Sequence, residues 1–204
     1  MSEQGTDEWK AERLGKVTAS RVADVIARTK TGWGASRANY MAELLVERLT
    51  GTAPDSYINA AMQWGTDQEP VARRNYEFMQ ECEVVTVGFV PHPTIPMTGA
   101  SPDGLIGNDG MVEFKCPNSS THIDTLLGAP VAGKYITQMH WQMVCAGRQW
   151  CDFVSFDPRM PAHMQLHITR VNRDAAMISS LEAEVTVFLG ELDAKLAELR
   201  SRFP

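Results

Sequence analysis

The stretch GASPDGLIGNDGMVEFKCP, residues 99–117, sets two carboxylates and an ammonium, Asp103, Glu113 and Lys115, around a short turn. Side chains alternate along a strand, so in MVEFKCP the residues Val112, Phe114 and Cys116 face one way and Glu113 and Lys115 the other. GNDG, between Asp103 and Glu113, reads as a hairpin turn that folds the first carboxylate back beside the second. Two carboxylates brought together repel unless a cation lies between them, and hard oxygen ligands select Mg2+ or Mn2+ over Zn2+. Magnesium keeps several waters and binds through one or two carboxylates plus substrate phosphate. This sparse set therefore fits phosphodiester cleavage, with Lys115 holding the attacking water or helping to deprotonate it. A structural ion pair between Glu113 and Lys115 is the alternative that the spacing leaves open.

The elements that must position these residues change period along the chain. TASRVADVIA starts with Thr18 as an N-cap and sets Val22, Val25 and Ile26 on one helical face. SRANYMAELLVERLTG runs from Ser36 with Tyr40, Leu44, Leu45 and Leu49 in helical rhythm and stops at Gly51. RTKTGWG between them is a basic glycine-containing loop with Trp33 exposed, and DQEPVARRNYEFMQE reads as a third helix entered near Pro70. EVVTVGFV, MTGASPDGLIG and GMVEFKC read as successive strands, followed by a helix over 132–146 and the strands WCDFVSFD and MQLHITRV. A long helix over about 173–202 closes the chain, with Met177, Leu181, Val185, Phe188 and Leu192 at the spacing of core or subunit packing. This order predicts one mixed α/β domain over 1–204, with a central sheet flanked by helices.

Composition narrows the function classes. With 204 residues and 44% hydrophobic content, the chain can bury a proper core. It has no long uncharged apolar run and a polar, acidic N-terminus, which predicts a protein that is neither secreted nor membrane-spanning, hence cytoplasmic. Cys82, Cys116, Cys145 and Cys151 form no C-x-x-C pair and read as free thiols. The five histidines, His92, His122, His140, His163 and His167, show no zinc spacing. The net charge of −6 argues against indiscriminate nucleic-acid binding, yet seven basic residues between Lys10 and Arg37 face only Glu12 and Asp24. That local excess suggests a confined anion site, with a solvated helix face as the alternative.

SPDGL together with EFKCP resembles the PD-(D/E)xK nuclease superfamily, and more narrowly the phage lambda exonuclease or YqaJ-like viral recombinase (alkaline exonuclease) family. RLGKVTAS (13–20), WGTDQEPVAR (64–73), YITQMHWQM (135–143) and FDPRM (156–160) follow in family order, so the resemblance spans nearly the whole chain. It implies a restriction-endonuclease-like core with a helical N-terminal part and a long C-terminal helix. It also implies that Asp103 and Glu113 ligate the metals with the backbone carbonyl of Phe114, that Glu69 completes the metal site, and that Lys115 is the catalytic lysine. Gln138 matches the glutamine on the helix after the sheet, whereas Gln142, one turn on, is left without a role. Arg13 and Ser20 match the residues that bind the 5′-terminal phosphate. Ser20 is expected in the first turn of a helix, where free N–H groups attract anions. Read without the resemblance, Glu69 is a carboxylate at a helix N-terminus and Thr18 and Ser20 are capping residues. The loop around Lys30 and Trp33 reads as touching duplex DNA or wedging its strands.

The activity implied is 5′→3′ degradation of one strand of linear double-stranded DNA to mononucleotides. It would use two Mg2+ ions, with Mn2+ as a possible substitute, and leave 3′ single-stranded tails for recombination by strand annealing. A homotrimeric ring around DNA, a single-strand annealing protein as partner, and a phage or prophage origin in a bacterial cell are implied with it. Three alternatives share parts of this pattern. A sequence-specific endonuclease would need a recognition module for which the chain has little room. An iron–sulfur nuclease of related core would need a different cysteine spacing, and a non-enzymatic DNA-end-binding module would not need Asp103, Glu113 and Lys115 together.

Overall fold

The computed structural model describes residues 2–53 and 59–204. The N-terminal part is helical. Helix α1 (Asp7–Arg13) is capped by the Thr6 hydroxyl, which accepts from the Trp9 N–H, and leads into the short strand β1 (Val17–Thr18). A 3-10 turn, Ala19–Arg21, and the four-residue α2 (Val22–Val25) follow. Thr18 precedes that turn but makes no side-chain capping bond, so the expected cap and long helix are replaced by a tighter bend, with Val22 and Val25 buried. RTKTGWG is a two-stranded hairpin, β2 (Arg28–Thr29) with β3 (Gly32–Trp33), where a loop was expected. Helix α3 (Ala35–Thr50) ends where expected, at Gly51 in the left-handed conformation.

Helix α4 (Ala60–Gln80) departs most from the sequence reading. It begins at Asn59, whose side chain caps the Met62 N–H, and Pro70 lies inside it rather than at its entry. Gly65 and Pro70 are both weak helix formers, so this segment reads as a loop by propensity. Packing of the buried Ala72 and Tyr76 overrides that preference, and Pro70 itself is exposed. The 83–90 segment, expected as a strand, is mostly irregular. Only Val85 bridges to Leu105, and Val90 begins the two-residue β4 (Val90–Pro91). Strand β5 (Thr98–Ala100) pairs antiparallel with β4 and parallel with β1.

The central sheet has the order β6-β7-β8-β9, with β6 (Gly104–Ile106), β7 (Gly110–Lys115), β8 (Trp150–Phe156) and β9 (Leu166–Asn172). The β6–β7 and β8–β9 pairs are antiparallel and β7–β8 is parallel, which requires a crossover. That crossover carries α5 (Ser119–Leu126), which sequence reading missed, and α6 (Gly133–Ala146). The long α7 (Ala175–Arg202) closes the chain, capped by Asp174 through the N–H groups of Ala176 and Met177.

Both faces of β7 are covered. Val112 and Phe114 pack with Ala72 and Tyr76 of α4, and the Tyr76 and Phe114 rings meet edge-on. On the other face Met111 packs with Met139 and Met143 of α6 and with Cys151 and Phe153. Glu113 shares that second face and is fully buried, so its side is roofed by α6 rather than open. A third cluster joins α2, α3, α6 and α7 through Val22, Tyr40, Leu44, Trp141 and Phe188. Among the described residues, no helix is long and apolar enough to cross a membrane.

Candidate active site

The β6–β7 hairpin pairs Gly104 with Val112, Leu105 with Met111 and Ile106 with Gly110. Its turn uses Gly107 at φ +50°, a left-handed conformation that glycine adopts without strain. Extending this register by one residue sets Asp103 opposite Glu113, as the hairpin reading requires. Asp103 Oδ2 accepts from the Phe114 N–H at 2.7 Å, which fixes the first carboxylate to the backbone of the strand that carries the second.

Glu113 is held on both oxygens. Oε1 accepts from Lys115 Nζ at 2.5 Å and from Gln138 Nε2 at 2.6 Å, and Oε2 accepts from Gln142 Nε2 at 2.7 Å. The two glutamines are one helical turn apart on α6 and so share a face. Gln142, left without a role by sequence reading, therefore holds Glu113 alongside Gln138, and its place one turn from Gln138 is the only sequence signal for it. Phe114 directs its side chain into the core, so only its backbone can serve the site.

Glu69 sits well inside α4, so a helix N-terminus does not explain it. Burial, then the charge of Glu113, pushes its carboxyl above the ordinary range. Asp103 is pushed well above its ordinary value by burial and then by Glu113 and Glu69, the Lys115 charge and the Phe114 N–H compensating only in part. Burial opposes the charge on Lys115, but Glu113 and Asp103 outweigh it and raise the ammonium above its ordinary value. Among the described residues, no three His, Cys, Asp or Glu side chains close on one point tightly enough to hold a metal ion unaided. Asp103, Glu113 and Glu69 nevertheless set three carboxyl groups against one ammonium. A negative excess of hard oxygen donors fits Mg2+, which needs only one or two carboxylates with water and phosphate.

A second constellation adjoins the first. Ser101 Oγ, two residues before Asp103, accepts from Arg13 Nη1 at 3.0 Å and from Trp9 Nε1 at 2.9 Å. The Arg13 guanidinium lies 4.1 Å from the centroid of the Trp9 ring, and burial lowers its pKa. Arg13 and Ser20 line one cavity of about 750 Å³ with Lys10, Lys16 and Arg21. Ser20 itself lies in the 3-10 turn, and the four-residue α2 behind it has little dipole, so Arg13, Lys10 and Lys16 carry the attraction for an anion against Glu43 and Glu47 in the same lining.

Much of the basic segment is neutralised within the fold. Arg21 pairs with Asp24 and Glu43, Arg28 with Glu184, and Arg37 with Glu191. Trp33, 41% exposed, is stacked between the Arg28 and Arg37 guanidinium groups at 3.9 and 4.0 Å. Lys30 is exposed in the turn of the same hairpin. The structure places both on the hairpin, apart from the carboxylate cluster. In FDPRM, Arg159 chelates Asp157 and lies 4.5 Å from the Trp64 ring, tying this loop to α4.

A carboxylate pair on a hairpin, its lysine, and a cationic cavity alongside define a nuclease-like α/β protein, and the family comparison agrees. A family model described as a YqaJ-like viral recombinase domain matches residues 8–149, and the chain belongs to that family. It is similar to LHK-Exo, an alkaline exonuclease from Laribacter hongkongensis, at 54% identity over 97% of each chain with a TM-score of 0.90. The structure of LHK-Exo in complex with dAMP gives a TM-score of 0.91 at the same identity and coverage. A phage-related exonuclease from Haemophilus somnus 129PT, 14% identical over 90% of this chain and 96% of its own, shares the fold at a TM-score of 0.69. Comparison with curated proteins finds no match.

Proposed function

We propose that this chain is a Mg2+-dependent 5′→3′ exonuclease that degrades one strand of linear double-stranded DNA to mononucleotides and leaves 3′ single-stranded tails for recombination by strand annealing. The observation that carries the reading is the register that sets Asp103 across from Glu113, with Lys115 bonded to Glu113 at 2.5 Å. Similarity to LHK-Exo over 97% of the chain supports it.

Asp103 and Glu113, the Phe114 carbonyl and Glu69 would hold the metal. Two bound Mg2+ ions, or Mn2+ in their place, would supply Lewis-acid charge at the scissile phosphate and lower the pKa of water. Gln138 and Gln142 fix the Glu113 carboxylate before substrate arrives, so no reorganisation is needed during the reaction. Lys115, kept charged by its two carboxylate neighbours, acts as a donor that holds the attacking water or a phosphate oxygen. Arg13 and Ser20 would capture the 5′-phosphate, and a new one after each cut, which fixes polarity. Lys30 and Trp33 would meet the duplex through the hairpin.

A homotrimeric ring around DNA would reconcile a net charge of −6 with DNA work by turning cationic surface inward. A single-strand annealing protein is the partner this role requires, and the cytoplasm of a bacterial host the place. Chelation by EDTA should stop digestion of linear duplex and added Mg2+ restore it. Digestion that continues in EDTA would overturn the metal assignment.

A further inference from the structure

Helix α4 is seated in its second half and unsupported in its first. From Val71 onward it lies on the sheet, where Val71, Ala72 and Tyr76 pack with Val112 and Phe114 of β7. Before Val71 no residue of the helix is fully buried, and among the described residues no side-chain hydrogen bond of 60–69 reaches outside the helix. The backbone between the halves is weak. Gly65 adds no side-chain support, and Pro70 cannot donate to the Thr66 carbonyl four residues back. Glu69 sits in that joint, so its carboxyl group is placed only if the first half is held.

What holds it is Arg159, in the loop after β8. The guanidinium lies 4.5 Å from the centroid of the Trp64 ring, and Trp64, seven residues before Val71, shares the face of α4 that Val71 occupies. The guanidinium is itself fixed. Nε and Nη2 donate to Asp157 at 2.7 and 3.0 Å, and Nη2 also donates to the Pro117 carbonyl at 3.1 Å. The Asp157 side chain is fully buried, and Gln165 clasps the same loop by donating to the Pro158 and Met160 carbonyls. Pro117 lies two residues beyond Lys115, so Arg159 reaches from the end of the strand that carries Glu113 and Lys115 to the helix that carries Glu69. Cys116, between Lys115 and Pro117, borders both sides: burial, then Glu69 and Asp103, push its thiol up, and Asp157 adds to them. Among the described residues Trp64 Nε1 is buried without a hydrogen-bond partner, so the attachment is made by the ring face.

We propose that Arg159 and Trp64 are positioning residues, whose contact straps the joint of α4 to the end of β7 and so sets Glu69 against Glu113 and Lys115. The proposal rests on the reading above in which Glu69 completes the metal site.

The test uses Trp64→Ala, which leaves the Asp157–Arg159 pair intact and puts a good helix former at a half-buried position. This change should raise the Mg2+ concentration needed for half-maximal thermal stabilisation about fivefold, the worth of one such cation–π contact, and Trp64→Phe should recover most of the loss. In a Glu69→Gln background Trp64→Ala should add nothing, because the carboxylate it positions is gone, whereas a merely structural loss would add in both backgrounds. In metal-free Trp64→Ala, hydrogen exchange should quicken over 60–69 and stay unchanged over 72–80. An equal Mg2+ shift in both backgrounds, no shift in Trp64→Ala while Glu69→Gln shows its own, or unchanged exchange over 60–69 would overturn the proposal. Quickened exchange with no Mg2+ shift in Glu69→Gln would instead sink the metal reading of Glu69 and support the strap.

Discussion

Gln142 donates its side-chain amide to Glu113 Oε2 at 2.7 Å, with both residues fully buried. Among the described residues the Gln142 side-chain carbonyl oxygen has no partner, so the side chain acts through its bond to Glu113. Gln142→Met, which keeps the volume, leaves one buried carboxylate oxygen without a donor and should cost about 1–3 kcal/mol of stability. Cleavage should fall through kcat with KM little changed, because the bond orients a proposed metal ligand rather than binding substrate. Denaturant melts and steady-state kinetics check both, and wild-type kcat in this variant would show that Gln142 does not position Glu113.

Arg13 meets Ser101 at the edge of the cationic cavity and should matter most to phosphorylated ends. Arg13→Ala should reduce the preference for a 5′-phosphate over a 5′-hydroxyl by roughly ten- to hundredfold. Arg13→Lys should restore little of it, since an ammonium cannot make the bidentate contact. Equal damage on both kinds of end would remove Arg13 from phosphate capture.

For Glu69 the expected signs oppose each other. Its carboxyl is buried and repelled by Glu113, so Glu69→Gln should raise the melting temperature of metal-free protein. In the proposed metal site the same change removes one ligand charge and should raise the Mg2+ concentration needed for half-maximal thermal stabilisation about tenfold. An unchanged Mg2+ dependence would leave Glu69 outside the metal site.

A pH effect is expected away from the active site. His92 Nδ1 accepts from the N–H groups of Thr94 and Ile95, its ring stacks on Trp141, and Nε2 faces Glu182 of α7 at 3.3 Å. Burial holds this imidazole below its ordinary value near 6.5, the Glu182 charge opposing only in part. The unfolded chain therefore takes up the proton first. The His92 contribution to stability is complete above the ordinary value and is lost as pH falls through it toward the depressed folded value. Melting temperatures at pH 7.5 and 5.5 should differ less in His92→Gln than in the wild type, and an equal difference would contradict this.

Much of the site was legible because it is local. Asp103, Glu113 and Lys115 lie within one hairpin, and strand alternation with one turn brings them together. Gln138 needed the family resemblance, since nothing in its own surroundings says which sheet face α6 will cover. Gln142 carries one sequence signal, its place one turn from Gln138, but its partner emerges only from that packing. Helix α4 was misread where Gly65 and Pro70 argue for a break, and tertiary burial of Ala72 and Tyr76 won. The pairing of Arg28 and Arg37 with Glu184 and Glu191 joins segments over 150 positions apart, beyond the reach of any local pattern.

The most direct measurement uses linear duplex DNA labelled at either the 5′ or the 3′ end, in Mg2+, beside closed circles, with the wild type and Lys115→Ala. The expected result is early release of the 5′ label as a mononucleotide, intact circles, and a variant that binds DNA without cutting it. Cut circles, earlier release of the 3′ label, or cleavage by Lys115→Ala at the wild-type rate would contradict 5′→3′ exonuclease action at Asp103, Glu113 and Lys115.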